Sequence, residues 1–279
     1  IPEPLLDRME IVRMSGYILE DKIKICKNHL IPRLLERNGL KKKDLKISDV
    51  MIRYIINGYA REAGVRNLEK RIGSICRFAA AKCAEKGRHT ITVSDKLVHE
   101  MLGEPFYVDD LIPKDIRPGE INGLAWTSYG GANLTVESIV TIKDLKAGDF
   151  KLTGQLGDVM MESARIAYSF IMANIERYGG DKEFFKTTSI HLHVPAGGTP
   201  KDGPSAGITM ASSLYSLCLH KGVDGHIGMT GELTLNGRIL PIGGIQEKTI
   251  AAKRVGIKTL IFPLENKSSF EELKDYIKA

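Results

Sequence analysis

Apolar residues recur at helical spacing through most of the first hundred positions of the chain. Ser48 and Ser94 each stand just before such a run, where a serine side chain typically caps a helix N-terminus. The segments 45–47 and 90–93 alternate in polarity and predict two short strands that pair. We therefore expect a mainly helical domain over 1–103. Its predicted helices are 19–37, with an interruption near Pro32, then 48–60, 65–86 and 94–102.

The pattern changes after a segment, 104–120, that contains three prolines and no apolar period, and we expect a linker there. Beyond it, strand-like runs alternate with helical runs, which is typical of an α/β or α+β domain over 121–279. The predicted strands are 135–142, 151–154, 190–195 and 259–263, with a hairpin inside 227–241. The predicted helices are 158–178, 204–219, 245–255 and a last one from about Ser268.

Composition narrows the class of protein. The 279 residues are 43% hydrophobic and 27% charged, which excludes a collagen-like, disordered or disulfide-scaffold chain. No apolar run approaches the ~20 residues that a membrane helix needs, and no signal peptide is evident, so we expect no membrane partner. The chain begins at Ile1 without a methionine, which we interpret as a piece of a longer protein.

The net charge of +6 is unevenly placed, because residues 1–103 hold 21 basic and 13 acidic side chains. An ordinary solvated helical surface explains this excess, and DNA binding through the same part is the alternative.

The cysteines and histidines give no metal-binding pattern. His191 and His193 would share one face of a strand, but no third ligand has a recognisable spacing, so we expect no metal site. The cysteines lack Cys-x-x-Cys pairing and fall at apolar helical positions, which indicates buried reduced thiols of an intracellular protein. These are Cys26, Cys76, Cys83 and Cys218.

Candidate chemistry begins in the loop from Val194 to Gly207, which joins a predicted strand to a predicted helix. Pro204 suits the first helical position, because its missing N–H would lack a partner there. Ser205 then lies in the first turn, where unpaired backbone N–H groups favour a nucleophile whose attack creates an oxyanion. The loop by itself leaves two alternatives open. It could bind a phosphate, although it lacks the Gly-Lys-Ser/Thr ending of a Walker A loop, or Ser205 could simply cap the helix.

Lys248 falls in the middle of the apolar arc of the predicted helix 245–255. Burial lowers the pKa of a lysine, and the neutral amine can act as a general base. The alternative is a side chain that extends out of the stripe to water. Together, Ser205 and Lys248 suggest a serine nucleophile with a lysine base, and no Gly-x-Ser-x-Gly elbow competes with them.

Three segments resemble the proteolytic domain of the ATP-dependent Lon protease family: PKDGPSAG around Ser205, MTGE at Met229–Glu232, and LPIGGIQEK ending at Lys248. Two more, GLAWTSYGG from Gly123 and GQLGDVMMESA from Gly154, resemble the beginning of that domain. The resemblance implies a serine endopeptidase of the endopeptidase La type. Its Ser-Lys dyad would be the nucleophile Ser205 and the base Lys248.

The same resemblance assigns residues that support the active site. Thr230 would orient the Lys248 amine through a hydrogen bond, Glu232 would also support the active site, and Asp202 would gate access to the nucleophile. The remaining support residues adjoin the serine: Gly203, Pro204 and Ala206.

The likeness also covers the helical part, where IPEPLLDRME and REAGVRNLEKRI resemble the small helical lid of an AAA+ ATPase module. Arg8 would be an arginine finger that reaches a neighbouring subunit's ATP, and Arg66 a sensor-2 arginine on the nucleotide phosphates. Peptide hydrolysis would need no cofactor and no metal. ATP and Mg would bind through Walker motifs upstream of this sequence, which itself lacks them.

By resemblance, a homohexamer would unfold damaged or regulatory proteins and degrade them in a closed chamber, as part of protein quality control under stress. The expected location is the bacterial cytoplasm, with the mitochondrial matrix as the alternative.

The family usually has Glu where this chain has Ala196. The polar contact that the glutamate carboxylate would make, to substrate or to a neighbouring subunit, is therefore an open question for this chain. The rival interpretation is a non-proteolytic Lon-fold assembly scaffold of a DNA-handling ATPase, against which the intact Ser205 and Lys248 argue.

Overall fold

A computed structural model describes residues 2–10, 16–87, 89–107, 112, 115–127, 130–143, 149–195 and 201–278. The chain divides into two compact units, Ile1–Val108 and Asp109–Ala279. This division falls within the segment predicted as a linker, and the limits 1–103, 104–120 and 121–279 stay a prediction. Among the described residues, no helix is both long and apolar enough to cross a bilayer.

The first unit is mainly helical, as its apolar period predicts. Its four predicted helices and the small sheet are all present, and the sheet is parallel. Its elements in chain order are α1 (Glu3–Leu6), α2 (Leu19–Ile25), a π-helix (Cys26–Leu30), α3 (Ile31–Arg37), β1 (Leu45–Lys46), α4 (Asp49–Tyr59), α5 (Arg66–Lys86), β2 (Ile91–Thr92) and α6 (Asp95–Leu102).

Local sequence explains how these helices begin and where one is irregular. Ser48 and Ser94 both accept the backbone N–H of the residue three positions later, so the predicted N-caps are confirmed. The predicted interruption near Pro32 is a widened turn, the π-helix between α2 and α3, and the helical path continues through it. Proline cannot donate to the carbonyl four residues earlier and its ring crowds that carbonyl, which the wider turn accommodates.

The second unit alternates strands and helices, which confirms the α/β expectation. Its strands are β3 (Glu120–Thr127), β4 (Gly130–Lys143), β5 (Phe150–Thr153), β6 (Thr188–His193), β7 (Ile227–Met229), β8 (Glu232–Leu233), β9 (Ile239–Leu240) and β10 (Thr259–Ile261). Its α-helices are α7 (Asp158–Asn174), α8 (Phe184–Thr187), α9 (Gly207–Leu219), α10 (Ile245–Val255), α11 (Lys267–Glu271) and α12 (Asp275–Lys278). Short 3₁₀ turns lie at Ile175–Tyr178, Pro204–Ala206 and Leu264–Asn266.

Six of these strands form one mixed sheet in the order β10-β7-β3-β4-β6-β5. The pairs β3–β4 and β4–β6 are antiparallel, and the other neighbours are parallel. β8 and β9 form the separate hairpin predicted inside 227–241. β3 was not among the predicted strands, and it lies near the middle of the sheet.

Helices cover both faces of this sheet. Ala125 of β3 packs with the core that α7 and α9 build, whereas its neighbour Leu124 packs with Ala252 and Val255 of α10. Because successive side chains of a strand point to opposite faces, α10 lies on the other face from α7 and α9. The starts of α9 and α10 therefore reach the region of β3 and β7 from opposite sides.

The four cysteines are buried free thiols, as predicted from their apolar positions. Burial raises the pKa of Cys26 to about 12, with a further contribution from Cys76, and raises the pKa of Cys76 to about 11. A thiol with such a pKa is protonated and unreactive at neutral pH.

Candidate active site

Lys248 is buried on the sheet-facing side of α10, and its side chain does not extend to solvent. The residue is 2% exposed. The other buried residues of the helix form the predicted apolar arc around it: Ile245, Thr249, Ala251, Ala252 and Val255.

Burial lowers the pKa of Lys248 from 10.5 to about 8. The cause is desolvation, because the charged ammonium loses its water shell within an apolar helix face. A substantial fraction of the side chain is therefore neutral near physiological pH, which is the state that a general base requires.

Thr230 connects this amine to the backbone of Ser205. Lys248 Nζ lies 3.0 Å from Thr230 Oγ1, and that hydroxyl lies 3.1 Å from the carbonyl oxygen of Ser205, to which it donates. Because the threonine has one hydroxyl proton and gives it to the carbonyl, it accepts an N–H from Lys248. The lone pair of the neutral amine is then left for another proton donor.

The end of β7 holds both Thr230 and the serine in place. The Thr230 N–H donates to Ile261 of β10 at 3.0 Å, and the Gly231 N–H donates to the Ser205 carbonyl at 2.8 Å. The Ser205 carbonyl thus accepts two hydrogen bonds from consecutive residues. This part of the site takes its geometry from the sheet.

Ser205 lies in the 3₁₀ turn Pro204–Ala206, and α9 begins at the next residue. Pro204 occupies the first position of this turn, as predicted, although the turn is 3₁₀ and not α-helical. Ser205 is half-buried, whereas Ala206 is buried and packs into the core beneath. The serine is therefore at the surface, beside the backbone N–H groups that start a helix.

The segment before this turn contacts α7 through Asp202. Asp202 is exposed, and its Oδ1 accepts the N–H groups of Met160, at 3.0 Å, and Gly203, at 2.8 Å. Gly203 has a φ of 106°, a conformation that L side chains rarely adopt. The gating role expected of Asp202 stays a prediction.

The remaining predicted site residues are less closely connected to the dyad. Glu232 begins β8, two residues after Thr230, and is half-buried. In the helical unit, Arg66 is the exposed first residue of α5, and Arg8 is exposed in the turn after α1. The roles of all three rest on the resemblance. Ala196 lies outside the described residues.

His191 and His193 lie side by side on β6 and share one partner. Thr153 Oγ1 is 2.8 Å from His191 Nε2 and 2.7 Å from His193 Nδ1. Burial lowers the pKa of His191, and the nearby Lys151 and His193 lower it further. Within the described ranges, no three His, Cys, Asp or Glu side chains are grouped so as to hold a metal ion.

Sequence reasoning missed two contacts that shape this site. Ser163 of α7 is buried, and its hydroxyl donates to the Pro204 carbonyl at 3.2 Å. Gly131 packs so closely on α10 that a Cβ there would lie 1.9 Å from the carbonyl oxygen of Glu247. The available signal was the glycine at the start of β4, which marks a close backbone approach within a strand.

Comparison with known families identifies the chain as a helical lid followed by an α/β proteolytic domain. Residues 92–279 match the Lon protease (S16) C-terminal proteolytic domain, and residues 36–92 match the Lon protease AAA+ ATPase lid domain. The chain belongs to the Lon protease family.

Curated relatives support this assignment along the whole chain. It is 54% identical over 278 residues to Lon protease 1 of Syntrophotalea carbinolica and 52% identical over 278 residues to Lon protease 2 of Hydrogenovibrio crunogenus. It is 49% identical over 278 residues to Lon protease of Magnetococcus marinus. These alignments cover 100% of this chain and 34%, 31% and 34% of the relatives, so the chain spans about a third of their length. The scaffold interpretation receives no support from them.

Proposed function

We propose that this chain is the proteolytic part of an ATP-dependent serine endopeptidase, with Ser205 as nucleophile and Lys248 as general base. One observation carries the proposal: a buried lysine with a pKa of about 8 is joined through one threonine hydroxyl to the backbone of Ser205. Packing does not require the amine at this position, because an apolar side chain would fill the same space without desolvating a charge.

The reaction is peptide-bond hydrolysis by acyl transfer. Ser205 Oγ attacks the substrate carbonyl carbon while its proton passes to the neutral Lys248 Nζ. The backbone N–H groups of Ser205 and Ala206, which follow Pro204 in the turn before α9, stabilise the oxyanion. Protonated Lys248 then donates to the leaving amine, and a water molecule repeats the sequence on the acyl-enzyme with the same lysine as base.

Thr230 orients the base in this mechanism. Its hydroxyl occupies one N–H of the Lys248 amine and is itself held by the Ser205 carbonyl. The lone pair of the amine is thereby turned away from the threonine and is available to the Ser205 hydroxyl. No metal takes part in these steps.

Hydrolysis of a fluorogenic peptide amide tests the proposal. We expect Ser205→Ala and Lys248→Arg to lose at least a thousandfold in kcat, the latter because a guanidinium stays protonated. Lys253→Met is the matched control, because Lys253 is an exposed lysine on the same helix, and it should retain wild-type hydrolysis. Undiminished turnover by Ser205→Ala or Lys248→Arg would refute the dyad.

For the complete enzyme, we propose ATP-driven degradation of unfolded, damaged or regulatory proteins by a homohexamer in the bacterial cytoplasm. The AAA+ lid match and the bacterial relatives named Lon protease support this. Arg66, exposed at the start of α5, is suited to a nucleotide phosphate, and Arg8 to a neighbouring subunit's ATP. ATP and Mg would supply the energy for unfolding through upstream motifs. Light scattering on the assembled enzyme tests the hexamer, and gel mobility at low salt tests the alternative of DNA binding through the basic residues 1–103.

A further inference from the structure

The turn that follows β5 is bonded to the chain segment that leads to Ser205. Leu156 and Lys201 form a parallel bridge, and the Gly157 N–H donates to the Lys201 carbonyl at 2.7 Å. In return, the Lys201 N–H donates to Gln155 at 3.1 Å, and Lys201 Nζ donates to the Gly154 carbonyl at 2.9 Å. The segment before the nucleophile is therefore fixed against this turn by three hydrogen bonds.

Asp202 extends the attachment to the N-terminus of α7. That helix has no side-chain cap from its own N-cap residue, Gly157. The Asp202 carboxylate supplies it from the other segment, by accepting the Met160 N–H. A carboxylate at a helix N-terminus also interacts favourably with the helix dipole.

Ser163, one turn further along α7, makes the last contact before the nucleophile. Ser163 is 4% exposed, and its hydroxyl donates to the carbonyl of Pro204, the residue immediately before Ser205. A Cβ on Gly207 would lie 3.0 Å from this hydroxyl, so the beginning of α9 closes over it. The backbone around Ser205 is thus held by α7 on one side and by the end of β7 on the other.

We propose that the turn 154–157 and the first two turns of α7 form a positioning platform that aligns Ser205 with Lys248. Ser163 and Asp202 are its positioning residues. The inference rests on the proposed function, since it concerns the same nucleophile. Alignment matters because a displacement of about 1 Å at a reacting group lowers the rate by up to about a hundredfold.

Gly157→Ala is a clean steric probe of the platform. Gly157 has φ −70° and ψ 170°, which alanine adopts without strain. Its added Cβ would lie 2.4 Å from Asp202 Cγ and 2.7 Å from both carboxylate oxygens, so the carboxylate must leave the helix N-terminus. Gly64→Ala is the matched control, because a Cβ there meets no atom within 4 Å.

Ser163→Ala is the second probe and removes only the hydroxyl that holds Pro204. Its matched control is Ser213→Ala, which also removes a fully buried serine hydroxyl in a neighbouring helix. The Ser213 hydroxyl donates to the Gly119 carbonyl and accepts from the Ser138 hydroxyl, and it makes no bond to the segment 201–206.

The measurement is kcat and KM for the fluorogenic peptide amide between pH 6 and 9.5, with thermal unfolding of each variant. We expect Gly157→Ala and Ser163→Ala to lose about ten- to a hundredfold in kcat, with KM and the pH midpoint near 8 unchanged. The two control variants should keep wild-type kcat.

Two outcomes would contradict the platform, and a third would contradict the proposed function. Wild-type kcat in either probe variant would overturn the platform. A midpoint displaced towards 10.5 would also overturn it, because the loss would then come from water reaching Lys248. Equal hydrolysis by the wild type and Ser205→Ala would refute the proposed function itself, which is a separate result.

Discussion

Replacing Lys248 by methionine should stabilise the proteolytic unit while abolishing its activity. Methionine has a similar length and carries no charge, so it fills the same apolar site without desolvating an ammonium group. The buried position of Lys248, 2% exposed on the apolar arc of α10, is the reason for the expectation.

The magnitude follows from the pKa. A lysine whose pKa falls from 10.5 in the unfolded chain to about 8 in the folded chain destabilises the fold by about 3 kcal/mol at pH 7. The hydrogen bond to Thr230 offsets about 1 kcal/mol of this. We therefore expect Lys248→Met to raise the free energy of unfolding by about 2 kcal/mol at pH 7.

The sign of the pH dependence is part of the prediction. Between pH 8 and 10.5 the unfolded chain holds the lysine proton and the folded chain does not, so wild-type stability rises with pH. The desolvation penalty is fully present below pH 8 and falls to about 1 kcal/mol at pH 10. The advantage of Lys248→Met should accordingly disappear by pH 10.

Urea unfolding of the wild type and Lys248→Met at pH 7 and pH 10 measures this directly. The single tryptophan of the chain, Trp126, lies in β3 and places the fluorescence signal in the proteolytic unit. Lys253→Met serves as the exposed control. A variant that is less stable than the wild type at pH 7, or a difference independent of pH, would refute the reasoning about the buried amine.

Two further predictions concern rates in the peptide assay. Wild-type kcat should rise about tenfold per pH unit up to about pH 8 and then level off, because the neutral form of Lys248 is the base; a profile flat from pH 6 to 9 would contradict this. Gly131→Ala should lower kcat at least tenfold, because its Cβ would lie 1.9 Å from the Glu247 carbonyl oxygen and push α10 away from the sheet. Gly64→Ala is again the control, and wild-type kcat in Gly131→Ala would show that the helix tolerates the displacement.

Much of the fold was predictable from patterns within short windows. Helix α10 was predicted with its observed limits, 245–255, because its apolar arc and the glycines around it are strong local signals. The caps at Ser48 and Ser94 were predictable for the same reason. The buried position of Lys248 could also be derived from its place on that arc.

Strand β3 could not be predicted, because its pattern depends on tertiary contacts. Asn122 is buried within it and donates to the carbonyl of Gly225, so a polar residue occupies a core position. Gly123 follows, where a Cβ would lie 2.9 Å from Thr209 of α9. A buried asparagine and a packing glycine together hide the alternation that marks a strand.

The candidate site was likewise predictable only in part: its two main residues could be found from the sequence, and the contacts between them could not. Helix periodicity indicated Lys248, and loop chemistry made Ser205 a candidate among three interpretations. Thr230 reaches the Ser205 carbonyl across 25 residues of sequence, and Ser163 reaches the Pro204 carbonyl across 41. No periodicity or spacing rule reports hydrogen bonds over such separations.

The buried free thiols have a practical consequence for labelling. Maleimides react with accessible thiolates, and all four native cysteines are buried. A single cysteine introduced at an exposed position would therefore accept a fluorophore selectively, without first mutating the native four. Energy transfer from Trp126 to a fluorophore placed on the lid would then report the distance between the lid and the proteolytic unit, with no further change to the chain.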